Sequence, residues 1–346
     1  MEATVVRPET VAEAIAATSR PKLAAGMLCG TRASVSAMPG HRHAGPSRVN
    51  RLRMMAMGGA EAWFEQNAGG VASISGIARS DWASCSRVET KDGRRFFVKR
   101  SNRPSEAMLA GEAASLQAIG ASGTVMTPRV HDLGDDNYGS FLVCNWLELS
   151  NSPAPAALGD ALGRLHAAEP LAPEARAGLF GFPVDNTIGA TPQPNPWTDE
   201  DGTEAWSRFF ADHRLRAMAA RLPASRLTED VETLAAALCR PGAPALFSGT
   251  FAPALPIRPT ILHGDLWSGN VSSVAGSGDP VILDPASYYG HHEAEWGMSW
   301  CMRGLTADFW TAYRCHIPKD PGFEERRALY EASWSSSMRA GEGEHP

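Results

Sequence analysis

The sequence predicts an α+β protein of two lobes, a small mixed lobe followed by a larger, mainly helical one. Two strands, a helix and a further strand follow one another between residues 84 and 147, whereas apolar residues beyond Leu149 recur at helical intervals. Two short apolar runs, which end at Leu262 and Leu283, each stand just before an aspartate. The chain has 346 residues, enough to bury a sizeable core in one large domain or two modest ones.

The small lobe is predicted to be an antiparallel sheet with one helix, spanning residues 59–148. Segment 84–98 is first polar, then passes through Asp92-Gly93, which is typical of a tight turn, and ends in an apolar run, so it predicts a β-hairpin. Residues 106–119 have apolar side chains at helical spacing. Polar residues 132–137 predict a break in the chain, and residues 140–147 then predict a buried strand that leads to the second lobe.

The larger lobe is predicted at residues 149–333 and begins with a proline-rich linker. Segments 157–168 and 206–222 have the apolar periodicity of amphipathic helices. Between them, residues 181–197 are rich in Pro, Asn and Gly and predict a long loop. Because this lobe contains both aspartates that follow apolar runs, we expect it to carry the catalytic and substrate-binding residues.

The composition argues against several classes of protein. The net charge of −6 gives no reason to expect a nucleic acid or a membrane surface as partner. No segment reads as a transmembrane helix. The six cysteines are scattered, without the close pairs of a zinc site or the density of a disulfide scaffold. A globular protein from a reducing compartment fits these features.

The first 58 residues differ in charge from the rest of the chain. Between Ala14 and Ala60 there is no Asp or Glu, while seven arginines and lysines lie among small residues. A basic, acid-free segment of this kind is typical of an organelle transit peptide. This interpretation places the protein in an organelle stroma or matrix, with the chloroplast favoured over the mitochondrion. The alternative is a disordered leader, in which case the protein is cytoplasmic.

The sharpest chemical signal lies in residues 261–284. Asp265 is followed five residues later by Asn270, and Asp284 comes fourteen residues after that, directly behind an apolar run. Phosphoryl transfer needs such a set, because one carboxylate orients and deprotonates the attacking hydroxyl while an amide oxygen and a second carboxylate hold the metal ion on the nucleotide phosphates. Any one aspartate is also typical of a turn or a cap. The spaced set predicts a phosphoryl-transfer site.

A nucleotide site also needs positive charge beside the phosphates. Lys99 follows the apolar residues 96–98, and Glu112, thirteen residues later, lies on the predicted helix where it can pair with that lysine. Alone, such a pair is more often solvated surface. Its place upstream of the aspartate–asparagine set favours a phosphate site. Segment 144–147 joins the lobes, and its backbone groups can contact an adenine edge or simply belong to a core strand.

These motifs resemble the fructosamine/ketosamine-3-kinase family, whose members are related to the aminoglycoside phosphotransferases. The resemblance covers residues 74–330 and implies the bilobal protein-kinase-like fold. Its most specific parts are the loop 185–197 and the motif His263-Gly-Asp-Leu-Trp267. The remaining matches are residues 96–99, 111–116, 162–166, 180–184, 268–270 and 284–290.

The resemblance also implies a reaction. It is the ATP-dependent phosphorylation of the sugar 3-hydroxyl of ketosamines, which are ribulosamine or fructosamine adducts. The acceptors are small ketoamines or glycated lysines of proteins. Loss of the unstable 3-phosphate then regenerates the amine, so that the activity amounts to deglycation and protein repair. ATP and Mg²⁺ are the implied cofactors.

Residue roles follow from the same resemblance. It implies that Asp265 accepts the proton of the acceptor hydroxyl and that Asn270 and Asp284 bind Mg²⁺. Lys99 and Glu112 match the lysine that contacts the ATP phosphates and its carboxylate partner. Three further residues fall where the hinge of the family meets adenine, namely Asn145, Trp146 and Leu147.

The sequence departs from the family pattern at three places. Residues 76–82 replace the glycine-rich phosphate loop, with Asp81 about where the family has a cysteine. Gly290-His-His-Glu293 differs from the family's Gly-His-Arg-Glu, and we do not expect His291 and His292 to bind a metal ion, because adjacent side chains diverge. The tail, residues 334–346, lacks the hydrophobic closing helix.

These departures keep two alternatives open. One is a phosphotransferase that acts on another small hydroxylated amine, of the aminoglycoside or choline type. The other is a pseudokinase that binds a nucleotide without turnover. The loop 185–197 argues against the first alternative, and the complete set of charged site residues argues against the second.

Overall fold

The structure is a computed structural model. It describes residues 58–331 apart from residues 81, 102–105, 137–138, 190, 218–219, 222–230, 234, 237–255, 303, 325 and 328. All but the last residue of the predicted leader, and the whole tail 334–346, lie outside the described residues. Among the described helices, none has the length and apolar character needed to cross a lipid bilayer.

The small lobe is built on a five-stranded antiparallel sheet. Its elements in chain order are α1 (Gly58–Asn67), β1 (Val71–Arg79), β2 (Ala83–Thr90), β3 (Arg95–Ser101), α2 (Glu106–Ser122), β4 (Val130–Asp136) and β5 (Gly139–Asn145). The strand order is β1-β2-β3-β5-β4. The predicted hairpin is confirmed as β2 and β3, and its turn includes Gly93 at a φ of 82°, which glycine adopts without strain. The predicted helix is confirmed as α2.

Three elements of the small lobe differ from the prediction. Helix α1 is a second helix, and its Phe64 packs edge-on against Phe96 of β3. Strand β1 contains residues 76–79, which the family pattern assigns to a phosphate loop. The predicted break at residues 132–137 is wrong, because this polar segment forms most of the edge strand β4. An edge strand tolerates charge, and Asp136 pairs there with Arg100 of β3 at 2.6 Å.

Because side chains alternate along β3, the lysine of the predicted site lies on the face of the sheet that packs against α2. Phe96 and Val98 point into the cluster that packs on α1. Phe97 points the other way, against the buried leucines of α2. Lys99 lies on this second face, because side chains of a strand alternate, and it therefore meets α2.

The larger lobe combines helices with short strand pairs. Its elements are α3 (Pro155–Ala167), α4 (Pro173–Arg176), β6 (Asn186–Ile188), β7 (Thr191–Gln193), α5 (Gly202–Phe210), a π-helical segment (Ala211–Arg216), β8 (Thr260–Ile261), β9 (Val271–Ser273), β10 (Pro280–Ile282), β11 (Tyr289–Gly290), a 3₁₀ helix (His292–Cys301) and α6 (Ala307–Arg314). The described strands pair as β6–β7, β8–β11 and β9–β10.

The predicted elements of this lobe are found with changed limits. Helix α3 occupies residues 155–167 and buries its leucines at helical spacing, as expected. The helix expected at 206–222 begins earlier, at Gly202, and becomes π-helical at Ala211. The loop 181–197 contains the hairpin β6–β7, whose strands of three residues are too short to show periodicity.

The chain contributes to the core of the larger lobe as far as Tyr330. The Tyr330 hydroxyl accepts a hydrogen bond from the indole of Trp206 at 3.0 Å and lies 2.8 Å from Nδ1 of His291. Arg326 forms a buried ion pair with Glu293, with Nη2 2.7 Å from the carboxylate. These contacts join the last described residues to the 3₁₀ helix and α5.

Candidate active site

The loop after β8 carries Asp265 and depends on a glycine. Gly264 has a φ of +79°, and a side chain added there would collide with the carbonyl oxygen of Ala286. Only glycine meets both conditions without strain. The amide of Asn270 donates to the Trp267 carbonyl at 2.9 Å, so the loop closes into a compact turn before β9. Asp265 and Asn270 are thereby held on one turn.

His263 links this loop to the segment that carries Asp284. Its Nδ1 accepts from the amide of Asp265 at 3.2 Å, so Nε2 carries the proton and donates to the Leu283 carbonyl at 2.8 Å. Burial lowers the pKa of His263, which keeps the ring neutral and able to do both. The histidine thus fixes the spacing between the two acidic segments. The motif contains no second histidine that could join His263 as a metal ligand, which agrees with this structural role.

Asp265 is held beside Asn270 and is poorly solvated. The Asn270 amide nitrogen donates to the Asp265 carbonyl at 2.9 Å and to its Oδ2 at 3.3 Å. Burial, with repulsion from Asp284, raises the pKa of Asp265 to about 8. Such a carboxylate is a stronger base than an exposed one, which suits proton acceptance from a hydroxyl.

Lys99 lies between the other two carboxylates. Its ammonium donates to Glu112 at 2.7 Å and to Asp284 at 3.2 Å, and the lysine is only 5% exposed. Lys99 lowers the pKa of Asp284, so Asp284 stays ionised, whereas burial raises the pKa of Glu112. The predicted lysine–glutamate pair is therefore present, and it extends to the carboxylate on the other lobe.

The two lobes enclose a cleft of about 420 Å³ that is lined by Lys99, by both of its carboxylate partners and by Asn270. Asn145, Trp146 and Leu147 line it, as expected of a hinge. The amide of Asn145 donates to the Arg129 carbonyl at 3.1 Å and that of Trp146 to the Arg95 carbonyl at 3.3 Å. Among the described residues no acceptor takes the amide of Leu147. The hinge therefore offers Leu147 as its available backbone donor.

Residues between β1 and β2 line one wall of the cleft. The amide of Ser80 donates to the Ala83 carbonyl at 2.8 Å, and the Ala83 amide donates to Ser80 Oγ at 3.1 Å. The indole of Trp82 lies over Lys99, with the ammonium 5.0 Å from the ring centroid. Cys85, opposite Lys99 in the strand register, also lines the cleft. An aromatic side chain therefore lies where the family has a glycine-rich loop.

Glu295 is a site residue that the sequence analysis missed. One carboxylate oxygen accepts from the amide of His263 at 2.6 Å, and the other accepts from the amide of Gly264 at 3.0 Å. Burial opposes its ionisation, but the hydrogen bond and charge of His166 hold the pKa of Glu295 below its usual range. A lone glutamate thirty residues beyond Asp265 has no sequence signal, because its partners are backbone amides.

The adjacent histidines behave differently from the expectation. Possible ligand atoms of His291, His292 and Glu293 all lie within 4.8 Å of one another, so the divergence predicted for adjacent side chains is wrong here. The 3₁₀ geometry after His291 brings them together. Glu293, however, is bound by Arg326, and Nδ1 of His291 is bound by the Tyr330 hydroxyl. These contacts give the cluster a structural role in the lobe core.

The residues present fit a hard divalent cation in the cleft. Because the Asn270 nitrogen is used by Asp265, its Oδ1 oxygen is left for a ligand. Asp284 is ionised, and its side chain is 52% exposed toward the cleft. An amide oxygen beside a carboxylate is the donor set that Mg²⁺ prefers.

This fold and this site define a kinase-like phosphotransferase: an antiparallel sheet lobe with an ion-paired lysine faces a loop in which an aspartate is hydrogen-bonded to an asparagine. The chain belongs to the fructosamine kinase family, whose model matches residues 63–334. It is therefore an enzyme of the phosphotransferase class, and the predicted family and fold class are confirmed.

Individual relatives agree with this assignment. The chain is 37% identical over 304 residues to the protein-ribulosamine 3-kinase, chloroplastic, of Oryza sativa subsp. japonica, covering 84% of this chain and 82% of that protein. It is 33% identical over 285 residues to the ketosamine-3-kinase of Mus musculus, covering 76% and 88%. The crystal structure of a candidate fructosamine-3-kinase from Haemophilus somnus 129PT has the same fold, with a TM-score of 0.66, 19% identity, and 83% and 92% of the two chains covered.

Proposed function

We propose that this protein transfers the γ-phosphoryl group of ATP to the sugar 3-hydroxyl of ketosamines, which are ribulosamine or fructosamine adducts. The observation that carries the proposal is Asp265, held by Asn270, which itself lines a cleft that contains the Lys99–Glu112 pair. Membership of the fructosamine kinase family supports the acceptor class.

In this proposal each side chain has one task. Asp265 accepts the proton of the acceptor hydroxyl as that oxygen attacks the phosphoryl group. Lys99, oriented by Glu112, donates to the nucleotide phosphates and stabilises the charge that develops on them. The Leu147 amide donates to the adenine edge at the hinge.

Asn270 and Asp284 would hold the cation. Bound there, Mg²⁺ supplies charge neutralisation on the phosphate oxygens and orients them for in-line transfer. Lys99 contacts Asp284 as well as Glu112, so the protein keeps this ligand ionised and oriented before any cation binds. Hard oxygen ligands of this kind favour magnesium over softer metals.

We propose that the physiological acceptors include glycated lysines of proteins, so that the reaction leads to deglycation and repair. The names of the rice and mouse relatives, a protein-ribulosamine 3-kinase and a ketosamine-3-kinase, support this acceptor class. A 3-phosphate beside a ketoamine carbonyl is a good leaving group, and its loss opens the adduct to release of the amine.

An acceptor panel tests the proposal. The full-length protein is incubated with Mg-ATP and with ribulosamine and fructosamine adducts of lysine, and an aminoglycoside and choline serve as controls. We expect phosphate on the ketosamine 3-oxygen alone, detected by ³¹P NMR and mass spectrometry. Transfer only to the aminoglycoside or to choline would favour the other phosphotransferase class. Nucleotide binding without any transfer would favour a pseudokinase.

We propose further that residues 1–58 direct the protein to the chloroplast stroma. The basic composition of this segment, which has no Asp or Glu after Glu13, supports targeting, and the rice relative is named chloroplastic. A fluorescent fusion of residues 1–58 tests this in plant cells. Accumulation in plastids is expected, and a fusion that stays in the cytosol contradicts it.

A further inference from the structure

The hairpin β6–β7 of the larger lobe contacts helix α2 at the residue before Glu112. A Cβ atom placed on Gly111 would lie 2.6 Å from Cβ of Asn186 and 2.8 Å from the Asp185 carbonyl oxygen. Real Cβ atoms do not approach so closely, so the hairpin backbone rests directly on α2 here. The hairpin belongs to the loop 185–197, one of the segments in which the sequence most specifically resembles the family.

Hydrogen bonds close a ring between the hairpin, α2 and the segment that follows Asp284. The Asn186 amide nitrogen donates to the Ser287 carbonyl at 2.6 Å. The Ser287 amide donates to Oγ of Ser115 at 2.9 Å, and the Ser115 hydroxyl donates to the Gly111 carbonyl at 2.7 Å. Asn186 is 2% exposed and both serines are 0% exposed, so water does not compete for these bonds.

This ring joins the two elements that carry the carboxylates on either side of Lys99. Glu112 follows Gly111 on α2, and Ser287 lies three residues beyond Asp284. Lys99 contacts both carboxylates directly, at 2.7 Å and 3.2 Å. A shift of α2 relative to Ser287 would therefore change both ion pairs at once.

The other end of the loop is anchored to the same segment. Arg214 donates from Nη2 to Oδ1 of Asn195 at 2.6 Å and from Nη1 to the Pro194 carbonyl at 2.9 Å. Its guanidinium lies 4.0 Å from the ring centroid of Tyr288, the neighbour of Ser287. Within the described residues no carboxylate pairs with this buried arginine, so its contacts serve the loop. The hairpin is therefore held at Asn186 by Ser287 and at Asn195 by Arg214.

We propose that Asn186 is a positioning residue for phosphoryl transfer: it locks α2 against the Asp284 segment, so that Glu112 and Asp284 hold Lys99 between them. The proposal rests on the proposed function of the site. No bond of Asn186 reaches the cleft, so it acts only through these groups. The family-specific loop thereby belongs to the architecture of the nucleotide site as well as to the larger lobe.

Steady-state kinetics of Asn186→Ala test this inference. We expect kcat to fall about 10- to 100-fold, because misplacement of charged groups by about 1 Å costs a transfer reaction this much. The KM for ATP should stay within about threefold, since the hinge residues that are proposed to contact adenine are untouched. Asn67→Ala, which removes an exposed side-chain bond to the Trp63 carbonyl, is the matched control and should keep wild-type kcat. Wild-type kcat in Asn186→Ala overturns the proposal.

A double-mutant cycle separates positioning from general destabilisation. In a Glu112→Gln background the Lys99–Glu112 ion pair is already lost, so adding Asn186→Ala should lower kcat by a clearly smaller factor than it does in the wild-type protein. An undiminished loss in that background would overturn the proposal. Ser115→Ala removes the hydrogen bond from the Ser287 amide and so breaks the same ring on the side of α2. Alanine suits a helix, so this variant gives the same test if Asn186→Ala does not fold.

Hydrogen exchange keeps the two proposals apart. Amides of residues 108–116 should exchange faster in Asn186→Ala than in the wild-type protein, whether or not an acceptor is known. If the wild-type protein phosphorylates no acceptor, the proposed function fails, and this measurement still decides whether the hairpin locks α2. Unchanged exchange in the variant contradicts the lock.

Discussion

Asp284 shows how far the site depends on the conformation of one residue. It has a φ of 50° and is the only non-glycine residue with positive φ among those the structure describes. This conformation costs an L-residue roughly 1–2 kcal/mol, although aspartate tolerates it better than most. Leu283 before it is held by His263 and by the Asn270 carbonyl, so the surrounding bonds maintain the strained geometry. In this backbone conformation the carboxylate lies 3.2 Å from the Lys99 ammonium.

Two adjacent histidines of the larger lobe lead to a prediction of how stability depends on pH. Burial lowers the pKa of His291 well below its usual value and that of His292 to about 3, so both stay neutral in the folded protein at pH 5.5. In the unfolded chain they bind protons near pH 6.5. For these two groups the unfolded state then binds more protons, so their contribution to the free energy of unfolding falls as the pH falls below about 6.5, whereas the raised pKa of Asp265 contributes in the opposite direction.

Urea unfolding at pH 7.5 and pH 5.5 measures this effect. Relative to the wild-type protein, His292→Gln should lessen the loss of unfolding free energy from pH 7.5 to pH 5.5 by about 1.4 kcal/mol, which is the contribution of one such histidine. A variant with the same pH dependence as the wild-type protein would show that His292 does not contribute.

At the scale of elements, the 3₁₀ helix supports the loop after β8, which carries Asp265. Glu295 accepts from two consecutive amides of that loop, which no side-chain motif can reveal. Glu295→Gln puts an amide nitrogen, a donor, against a backbone donor, so we expect a loss of about 2–4 kcal/mol of unfolding free energy. Because the loop also carries Asp265, kcat should fall at least tenfold while the KM for ATP changes little.

Denaturant unfolding and kinetics of the same preparations check this prediction. Glu200→Gln is the matched control, since Glu200 forms an exposed pair with Arg208 and should contribute less than about 1 kcal/mol. Equal stability losses in the two variants would contradict a special role of Glu295.

The elements that could be predicted from the sequence are those with periodicity or turn chemistry. Helices α2 and α3 have long apolar stripes, and Asp92-Gly93 marks its hairpin. Strand β4 was missed because a charged edge strand has the composition of a loop. Strands β6 and β7 were missed because three residues show no period. Their place against α2 arises only from tertiary contacts.

At the scale of the whole molecule, two lobes bring together residues that are far apart in the sequence. Lys99 and Asp284 are 185 positions apart and lie 3.2 Å from each other. That these charged groups lie close together could be predicted, because phosphoryl-transfer chemistry restricts residue type and spacing. Their supports, Glu295 and Asn186, were not predictable, since they act on backbone atoms. The family model matches residues 63–334, a range that includes residues of both lobes.

The most direct test of the account is phosphoryl transfer to a ribulosamine–lysine adduct by the wild-type protein and by Asp265→Asn, with Mg-ATP binding measured on both. Asparagine keeps the shape of the side chain but cannot accept the proton, so kcat should fall at least about 10³-fold while the affinity for Mg-ATP stays within a few-fold. A variant that retains substantial turnover would contradict the assignment of Asp265 as the base, and with it the proposed mechanism.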